Sequence, residues 1–248
     1  MVCLHGWTSN HEVYQEPAKA LSDKARFILY EHRGHYMSKE ATGQEVTLDT
    51  LASDLRELIV GLGLDEVTLV GWSMGATTIL SYVDLFGCDR ISQIVLCDMT
   101  PKKTNDETWK LGLYQGAYTA EDEALDRAKD FETLYLEYAQ HTDPRLAQVP
   151  VEMLRMGIQR QMQLIDESVA MSLFNSMNET DNRGSVAKID VPLTYFYAVP
   201  GSLYCPELAT WYEEQARVPY HSVAFPDSTH RFVTEHPDRF AEELAKLI

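Results

Sequence analysis

The sequence has little positive charge. It carries 21 lysine and arginine residues against 38 aspartate and glutamate residues, a formal net charge of −17. Nucleic acids and anionic membrane surfaces repel such a surface, so the composition argues against both as partners. The chain also lacks an apolar run of about 18 residues, and its first residues, Met1 to Trp7, predict a core strand and turn rather than a signal peptide. We therefore expect a cytoplasmic protein; the sequence leaves its oligomeric state open.

Cysteine is also scarce, and internal repeats, low-complexity tracts and linkers are absent. The four cysteines have no metal-type spacing, so buried reduced thiols are expected at Cys3, Cys88, Cys97 and Cys205, with neither a zinc site nor a disulfide framework. With 248 residues and 45% hydrophobic composition, the chain can bury one sizeable core. This favours a single domain with an insertion over two domains.

What the sequence does contain is an alternation of short apolar runs with longer segments of helical period. This alternation predicts an α/β fold whose mostly parallel sheet has helices on both faces. One helix is well marked, because apolar residues recur at helical spacing from Leu48, behind Thr47 as a predicted N-cap, until Gly61 and Gly63 end the run. The predicted strands are Val2–Leu4, Phe27–Tyr30, Val67–Val70, Ile94–Cys97, Leu193–Ala198 and Ser222–Phe225.

Residues 101–188 break this rhythm, because they contain no strand-like run and are rich in Glu, Asp, Tyr and Met. We interpret them as a helical lid inserted between the strands that end near Cys97 and start near Leu193. Residues 1–100 and 189–248 then form the core domain. One apolar stripe in the insertion, interpreted as packing rather than substrate contact, consists of Phe131, Leu134, Tyr135 and Tyr138.

The segment Gly71-Trp72-Ser73-Met74-Gly75 follows an apolar strand and precedes a helix-compatible stretch. A serine on a tight strand-to-helix turn needs small neighbours, because bulky ones would clash there. The Gly-x-Ser-x-Gly pattern is weak evidence alone and strong in this strand-turn-helix context. It predicts that Ser73 is a nucleophile rather than part of a structural turn.

Three further motifs accompany this one, in a fixed order along the chain. They are His5-Gly6-Trp7 after the first strand, Glu31 to His35 after the second, and Asp227 to Phe232 near the end. Together the four motifs resemble those of the α/β-hydrolase superfamily, in particular a serine esterase or lipase-like member with a helical lid. The antiparallel strand pair that usually precedes the His-Gly strand in that family is missing from this sequence.

A serine hydroxyl is a poor nucleophile at neutral pH and needs an imidazole to take its proton and return it to the leaving group. The resemblance implies that His230 is this base. It also implies that the backbone N–H groups of Trp7 and Met74 form the oxyanion hole. His32 and His35 follow the second strand at the same edge of the sheet, so substrate contact stays open for them.

The acid of the triad departs from the commonest pattern of the superfamily. Most members place it after the strand that follows the lid, where this sequence has Gly201 and Ser202. Asp98 instead follows the strand before the lid, at the sheet edge that carries the serine. Haloalkane dehalogenases and cofactor-free ring-cleaving dioxygenases are similar, with the acid after this strand, the sixth of the family's full sheet. We predict that Asp98 orients the histidine; its alternative is a cap for the lid, and Glu207 is a competing acid.

These motifs predict hydrolysis of a carboxylic ester or related acyl compound through an acyl-enzyme on Ser73, without a metal or organic cofactor. The Tyr-, Met- and Leu-rich lid predicts a small apolar or aromatic ester as substrate, with Trp72, His5 and Trp109 as candidate contacts. A cofactor-free C–C cleaving or dioxygenase-like enzyme is the first alternative, because the position of Asp98 is similar there. A non-catalytic binding protein on a hydrolase scaffold is the second, although it would usually have lost the serine or the histidine.

Overall fold

Six strands form one parallel sheet in this computed structural model, which describes residues 1–42 and 45–248. Their order is β2-β1-β3-β4-β5-β6, and every neighbouring pair is parallel. Each predicted strand is present, and the predicted α/β fold class is confirmed. In chain order the strands are β1 (Val2–Leu4), β2 (Ile28–Leu29), β3 (Val67–Trp72), β4 (Ile91–Cys97), β5 (Leu193–Gly201) and β6 (Tyr220–Thr229).

Helices connect the strands and surround the sheet. In the described residues they are α1 (Gln15–Ala20), α2 (Leu48–Gly61), α3 (Met74–Phe86), α4 (Ala120–Arg127), α5 (Phe131–Thr142), α6 (Val151–Met162), α7 (Glu167–Glu179), α8 (Arg183–Val186), α9 (Glu207–Gln215), α10 (Phe232–Glu235) and α11 (Pro237–Ala245).

Different helices cover the two faces of the sheet, because successive residues of a strand point to opposite faces. Leu69 of β3 packs in one hydrophobic cluster with Leu55 of α2 and Ile79 of α3. Val70, the next residue, packs in a second cluster with Phe240 of α11. All five side chains are fully buried, as expected where helices cover both faces of a parallel sheet.

The helix predicted behind Thr47 is confirmed as α2. The Thr47 hydroxyl accepts a hydrogen bond from the Thr50 N–H at 3.3 Å, which satisfies one of the donors that a helix N-terminus leaves free. The helix ends at Gly61, and Gly63 follows with a φ of +59°. Both ends of the helix therefore lie where the sequence places them.

The segment between β4 and β5 contains α4 to α8, in agreement with the predicted helical character of residues 101–188. Phe131 of α5 and Phe174 of α7 pack on the Trp7 ring, with ring centroids 5.9 and 5.4 Å away. Because Trp7 follows β1, these helices lie against the carboxyl edge of the sheet.

Two expectations about composition can be compared with the structure. Within residues 1–42 and 45–248, no helix is both long and apolar enough to cross a membrane. All four cysteines are free; three of them are buried, whereas Cys205 is only half-buried.

Candidate active site

Ser73 lies on a strained turn between β3 and α3. Its φ of +56° and ψ of −123° fall in a region that residues other than glycine rarely adopt. The flanking glycines permit the turn: a Cβ at Gly71 would lie 2.5 Å from the Gly75 carbonyl oxygen, and one at Gly75 would lie 2.2 Å from the Leu4 carbonyl oxygen. The turn therefore presents Ser73 at the carboxyl edge of the sheet, where the Gly-x-Ser-x-Gly pattern predicts it.

His230 follows β6 and is buried at the same edge. Its backbone N–H donates to the Gly201 carbonyl at 2.9 Å, and its own carbonyl accepts from the Trp72 indole N–H at 2.8 Å. The ring atom Nδ1 lies 2.7 Å from Oδ2 of Asp98. Contacts from the ends of β3, β4 and β5 thus fix the histidine beside the turn that carries the serine.

Asp98 directly follows β4 and is fully buried. Its Oδ1 accepts hydrogen bonds from the Ser202 hydroxyl at 2.7 Å and from the Ala198 N–H at 3.3 Å, and its Oδ2 faces His230. A buried carboxylate needs such donors to offset the loss of water. The predicted Asp98–His230 hydrogen bond is therefore present. Ser202, at the position where most of the family has the acid, supports Asp98 instead, while Glu207 is exposed at the start of α9.

The second ring nitrogen of His230, Nε2, is buried and makes no hydrogen bond within the described residues. Because a carboxylate only accepts hydrogen bonds, the proton belongs on Nδ1 and Nε2 is left as an acceptor. Leaving a buried polar atom without a hydrogen bond costs about 1–3 kcal/mol of stability. Such an atom is typical of a binding or catalytic site, where a ligand supplies the missing partner. Ser73 lines the same cavity as His230.

Two backbone N–H groups beside Ser73 also lack acceptors in the described part of the chain. Met74 is the first residue of α3, so its N–H has no intrahelical acceptor. The Trp7 N–H, in the loop after β1, donates to no backbone carbonyl of a described residue. Free donors of this kind can stabilise negative charge that develops on a substrate oxygen.

The loop that carries Trp7 is held by contacts that the sequence did not predict. The Trp7 indole N–H donates to the Ala170 carbonyl of α7 at 2.8 Å, and the Gln161 side-chain amide of α6 donates to the Thr8 carbonyl at 3.0 Å. The Thr8 N–H donates to Nε2 of His35 at 3.3 Å. Two helices of the inserted segment and one buried histidine thus position this loop.

A cavity of about 200 Å³ opens beside Ser73 and His230. Four aromatic side chains line it, and no aspartate or glutamate does. Trp72, a predicted substrate contact, is among them. The other three are the Trp7 ring and the side chains of Tyr135 and Tyr138 of α5, which the sequence does not predict as cavity residues. Both tyrosines belong to the apolar stripe of that helix, whose first two members are buried while the tyrosines face the cavity.

Two predicted substrate contacts, His5 and Trp109, do not line this cavity. His5 is fully buried, where its Nδ1 bonds the Gly6 carbonyl at 2.8 Å and its Nε2 accepts from the His32 N–H at 3.1 Å. Trp109 packs edge-on against Trp211, with ring centroids 5.0 Å apart. Its indole N–H donates a hydrogen bond to the Lys102 carbonyl at 2.8 Å.

His5, His32 and His35 form a buried cluster behind the Trp7 loop, with ring centroids 4.4 Å (His5–His32) and 5.2 Å (His5–His35) apart. Burial lowers the pKa of His35 to about 3 and the pKa of His32 well below its usual range. His35 has to be neutral, because its Nε2 accepts from Thr8. Neither His32 nor His35 lines the cavity, so the contact left open for them is not made there.

We expect acid to destabilise the fold through this cluster. Between pH 6.5, the ordinary histidine pKa, and about 3, the unfolded chain binds a proton that His35 in the folded chain does not. The contribution of the neutral His35 to the free energy of unfolding is therefore present above pH 6.5 and is lost as the pH falls. For one such group the loss from pH 7 to pH 5 is about 2 kcal/mol. Urea unfolding at both pH values should show this loss reduced in His35→Gln and unchanged in His221→Gln, an exposed control. Equal pH dependence in all three proteins would contradict it.

Comparison with known proteins gives a family match over most of the chain. A family model described as the alpha/beta hydrolase fold matches residues 1–204. A non-heme chloroperoxidase of Kitasatospora aureofaciens is 36% identical over 102 residues, which cover 41% of this chain and 37% of that protein. The chain likewise spans only 40% of a putative non-heme chloroperoxidase of Synechocystis, so these two similarities extend over less than half of each relative.

Two other similarities extend over nearly the whole chain. The pimeloyl-(acyl-carrier protein) methyl ester esterase of Vibrio campbellii is 23% identical over 239 residues, which cover 95% of this chain and 89% of that enzyme. The solved structure of an esterase from Exiguobacterium antarcticum superposes with a TM-score of 0.80 at 22% identity, covering 99% of this chain and 90% of the esterase. At this identity the structural likeness establishes the fold.

Proposed function

This chain belongs to the alpha/beta hydrolase fold family, and we propose that it is a serine hydrolase that cleaves a carboxylic ester or a related acyl substrate. One observation carries the proposal. Ser73 and His230 line one cavity, the Nε2 of His230 is buried and unpaired, and Asp98 lies 2.7 Å from Nδ1 of the same ring. The esterase named among the relatives supports an ester as the substrate.

In the first half of the proposed reaction, the Ser73 hydroxyl oxygen attacks the ester carbonyl carbon while its proton moves to Nε2 of His230. The imidazolium that forms is stabilised by the Asp98 carboxylate. The former carbonyl oxygen becomes negatively charged and accepts hydrogen bonds from the Trp7 and Met74 N–H groups. When the C–O bond to the alcohol breaks, His230 returns the proton to the leaving oxygen, and the acyl group stays on Ser73.

In the second half, water attacks the acyl-enzyme carbonyl and gives one proton to His230. The tetrahedral intermediate then collapses, the bond to the Ser73 oxygen breaks, and the proton passes to that oxygen. The products are the carboxylic acid and the free enzyme. Each proton removed is returned, so the residues present suffice for the reaction.

We also propose that residues 101–188 act as a lid on a core of residues 1–100 and 189–248. Tyr135, Tyr138 and Gln161 come from this segment and line the cavity beside Ser73, so a substrate would be enclosed between the two parts. The four aromatic rings of the lining favour a small apolar or aromatic ester.

Labelling by a fluorophosphonate probe, together with turnover of p-nitrophenyl acetate, tests the proposed function. We expect one phosphonyl group per chain, located on Ser73 by peptide mass spectrometry, and hydrolysis that the probe abolishes. A folded protein that neither labels nor hydrolyses short-acyl, long-acyl or aryl esters would contradict the proposal and favour the non-catalytic binding protein. Oxygen uptake with an aromatic substrate, in the absence of ester turnover, would favour the C–C cleaving alternative.

A further inference from the structure

A second cavity of about 190 Å³ shares one lining residue, Tyr138, with the first. Tyr114, Tyr118, Leu134 and Phe174 line the second cavity, and Tyr138 lines both cavities. Phe174 also packs on Trp7 beside the nucleophile. Among the described residues, Tyr138 is the one that both linings share, so its side chain forms part of the wall between the cavities, together with the contact of Trp7 with Phe174.

Several contacts hold Tyr138 in this position. It projects from α5, and its ring packs edge-on against Trp7 with centroids 5.3 Å apart. Burial raises the pKa of its hydroxyl to about 12, and the side chain lines the same cavity as Ser73. Tyr138 thus bounds the space that is open to a substrate at Ser73.

The charges of the second cavity restrict what could enter it. Asp126 is already paired, with the Lys129 ammonium at 2.7 Å and the Tyr118 hydroxyl at 2.9 Å. Lys129 is the sole lysine or arginine in a lining that also holds Asp122 and Glu137. Acidic side chains therefore outnumber basic ones there, and the rest of the lining is mainly aromatic and aliphatic. The acidic side chains disfavour a carboxylate, whereas the aromatic and aliphatic side chains offer contacts to an uncharged apolar chain.

Neither cavity alone reaches the roughly 300–1,000 Å³ typical of pockets for drug-sized ligands, whereas the two joined would reach it. We propose that Tyr138 is the specificity-determining wall that limits this hydrolase to esters with short chains, and that the second cavity is a latent subsite for a longer, uncharged acyl chain. This inference rests on the proposed function, because it concerns the substrate of the same serine.

The test compares kcat/KM for p-nitrophenyl octanoate and p-nitrophenyl acetate. In Tyr138→Ala the octanoate-to-acetate ratio should rise at least about 10-fold over wild type, the gain from burying two further methylene groups. In Tyr138→Phe, which keeps the wall and removes only the hydroxyl, the ratio should stay within about 3-fold. Tyr138→Leu keeps apolar packing on α5 and should show a rise in the same direction, which covers the case in which the alanine variant does not fold.

A refilled variant distinguishes entry into the second cavity from simple enlargement of the first. Leu125 lines only the second cavity and is 64% exposed, so it can accept a larger side chain. Tyr138→Ala/Leu125→Trp should lose the gain on octanoate and keep the acetate activity of Tyr138→Ala. An unchanged ratio in Tyr138→Ala and Tyr138→Leu, or a gain that survives refilling, would overturn the assignment.

These outcomes separate the inference from the proposed function. Variants that still react with the fluorophosphonate and hydrolyse acetate, but show no change in ratio, contradict only the role of Tyr138. A wild-type protein that neither labels nor hydrolyses any ester contradicts both.

Discussion

Ser73→Ala is expected to abolish ester turnover, with a loss of about 10⁴-fold or more in kcat. The change removes the proposed nucleophilic oxygen and the proton that His230 would take from it. The fold should survive for two reasons. Alanine and serine are both L-residues with a Cβ, so the substitution adds no backbone strain at φ +56°. The hydroxyl that is lost makes no capping hydrogen bond at the N-terminus of α3. Initial rates with p-nitrophenyl acetate and a thermal unfolding curve measure the two effects.

Ser9 offers a matched control, since it lines the same cavity without the strained turn. Ser9→Ala should retain at least about a tenth of wild-type activity, which corresponds to a barrier change below about 1.4 kcal/mol. Retention of more than a tenth of the activity in Ser73→Ala would remove Ser73 from the nucleophile's role, whatever the behaviour of Ser9.

The parts of the site that local sequence patterns determine were predictable. The turn at Ser73 depends on Gly71 and Gly75, which lie two residues away on either side, and the cap of α2 depends on Thr47. Asp98 could be placed because the end of a parallel strand fixes the sheet edge on which the next side chain lies. Each of these follows from a short segment and from the fold class, without knowledge of distant packing.

The strand ends illustrate where local patterns mislead. The predicted ends of the last two strands, Ala198 and Phe225, lie immediately before Val199-Pro200 and Pro226, and proline removes a ladder donor. In the structure β5 and β6 continue to Gly201 and Thr229. They can do so because β4 ends at Cys97, so this part of β5 pairs with β6 alone, and β6 is an edge strand that tolerates proline.

The lining of the cavity was not predictable, because it depends on contacts between residues far apart in sequence. Trp7 is positioned by Ala170, 163 residues later, and Tyr138 lines the Ser73 cavity from the segment between β4 and β5. Nothing in the pattern of α5 distinguishes its two buried members from the tyrosines that face the cavity. The position of Trp109 also depends on a distant contact, because its aromatic partner Trp211 lies on α9.

Asp98→Asn is expected to lower turnover by roughly 10⁴-fold, the loss typical of this change in a serine-histidine-aspartate triad. The Asp98 carboxylate accepts from His230 at 2.7 Å and so keeps the proton on Nδ1. An asparagine can present its amide N–H₂ instead, which favours the tautomer with the proton on Nε2, where it cannot accept from Ser73. The volume and the bonds from Ser202 and Ala198 are largely kept, so thermal unfolding should change far less than activity.

Glu207→Gln is the matched control, because Glu207 is the nearest acid after the position where most of the family has its triad acid, and it is exposed at the start of α9. Its kcat with p-nitrophenyl acetate should stay within about 3-fold of wild type, since a surface charge outside the cavity contributes little to the barrier. If Glu207→Gln were inactive while Asp98→Asn kept its activity, the two acids would exchange roles. A pH profile of kcat/KM for Asp98→Asn in which activity recovers at high pH would in turn support the tautomer argument, because hydroxide can take the proton that the misoriented imidazole cannot.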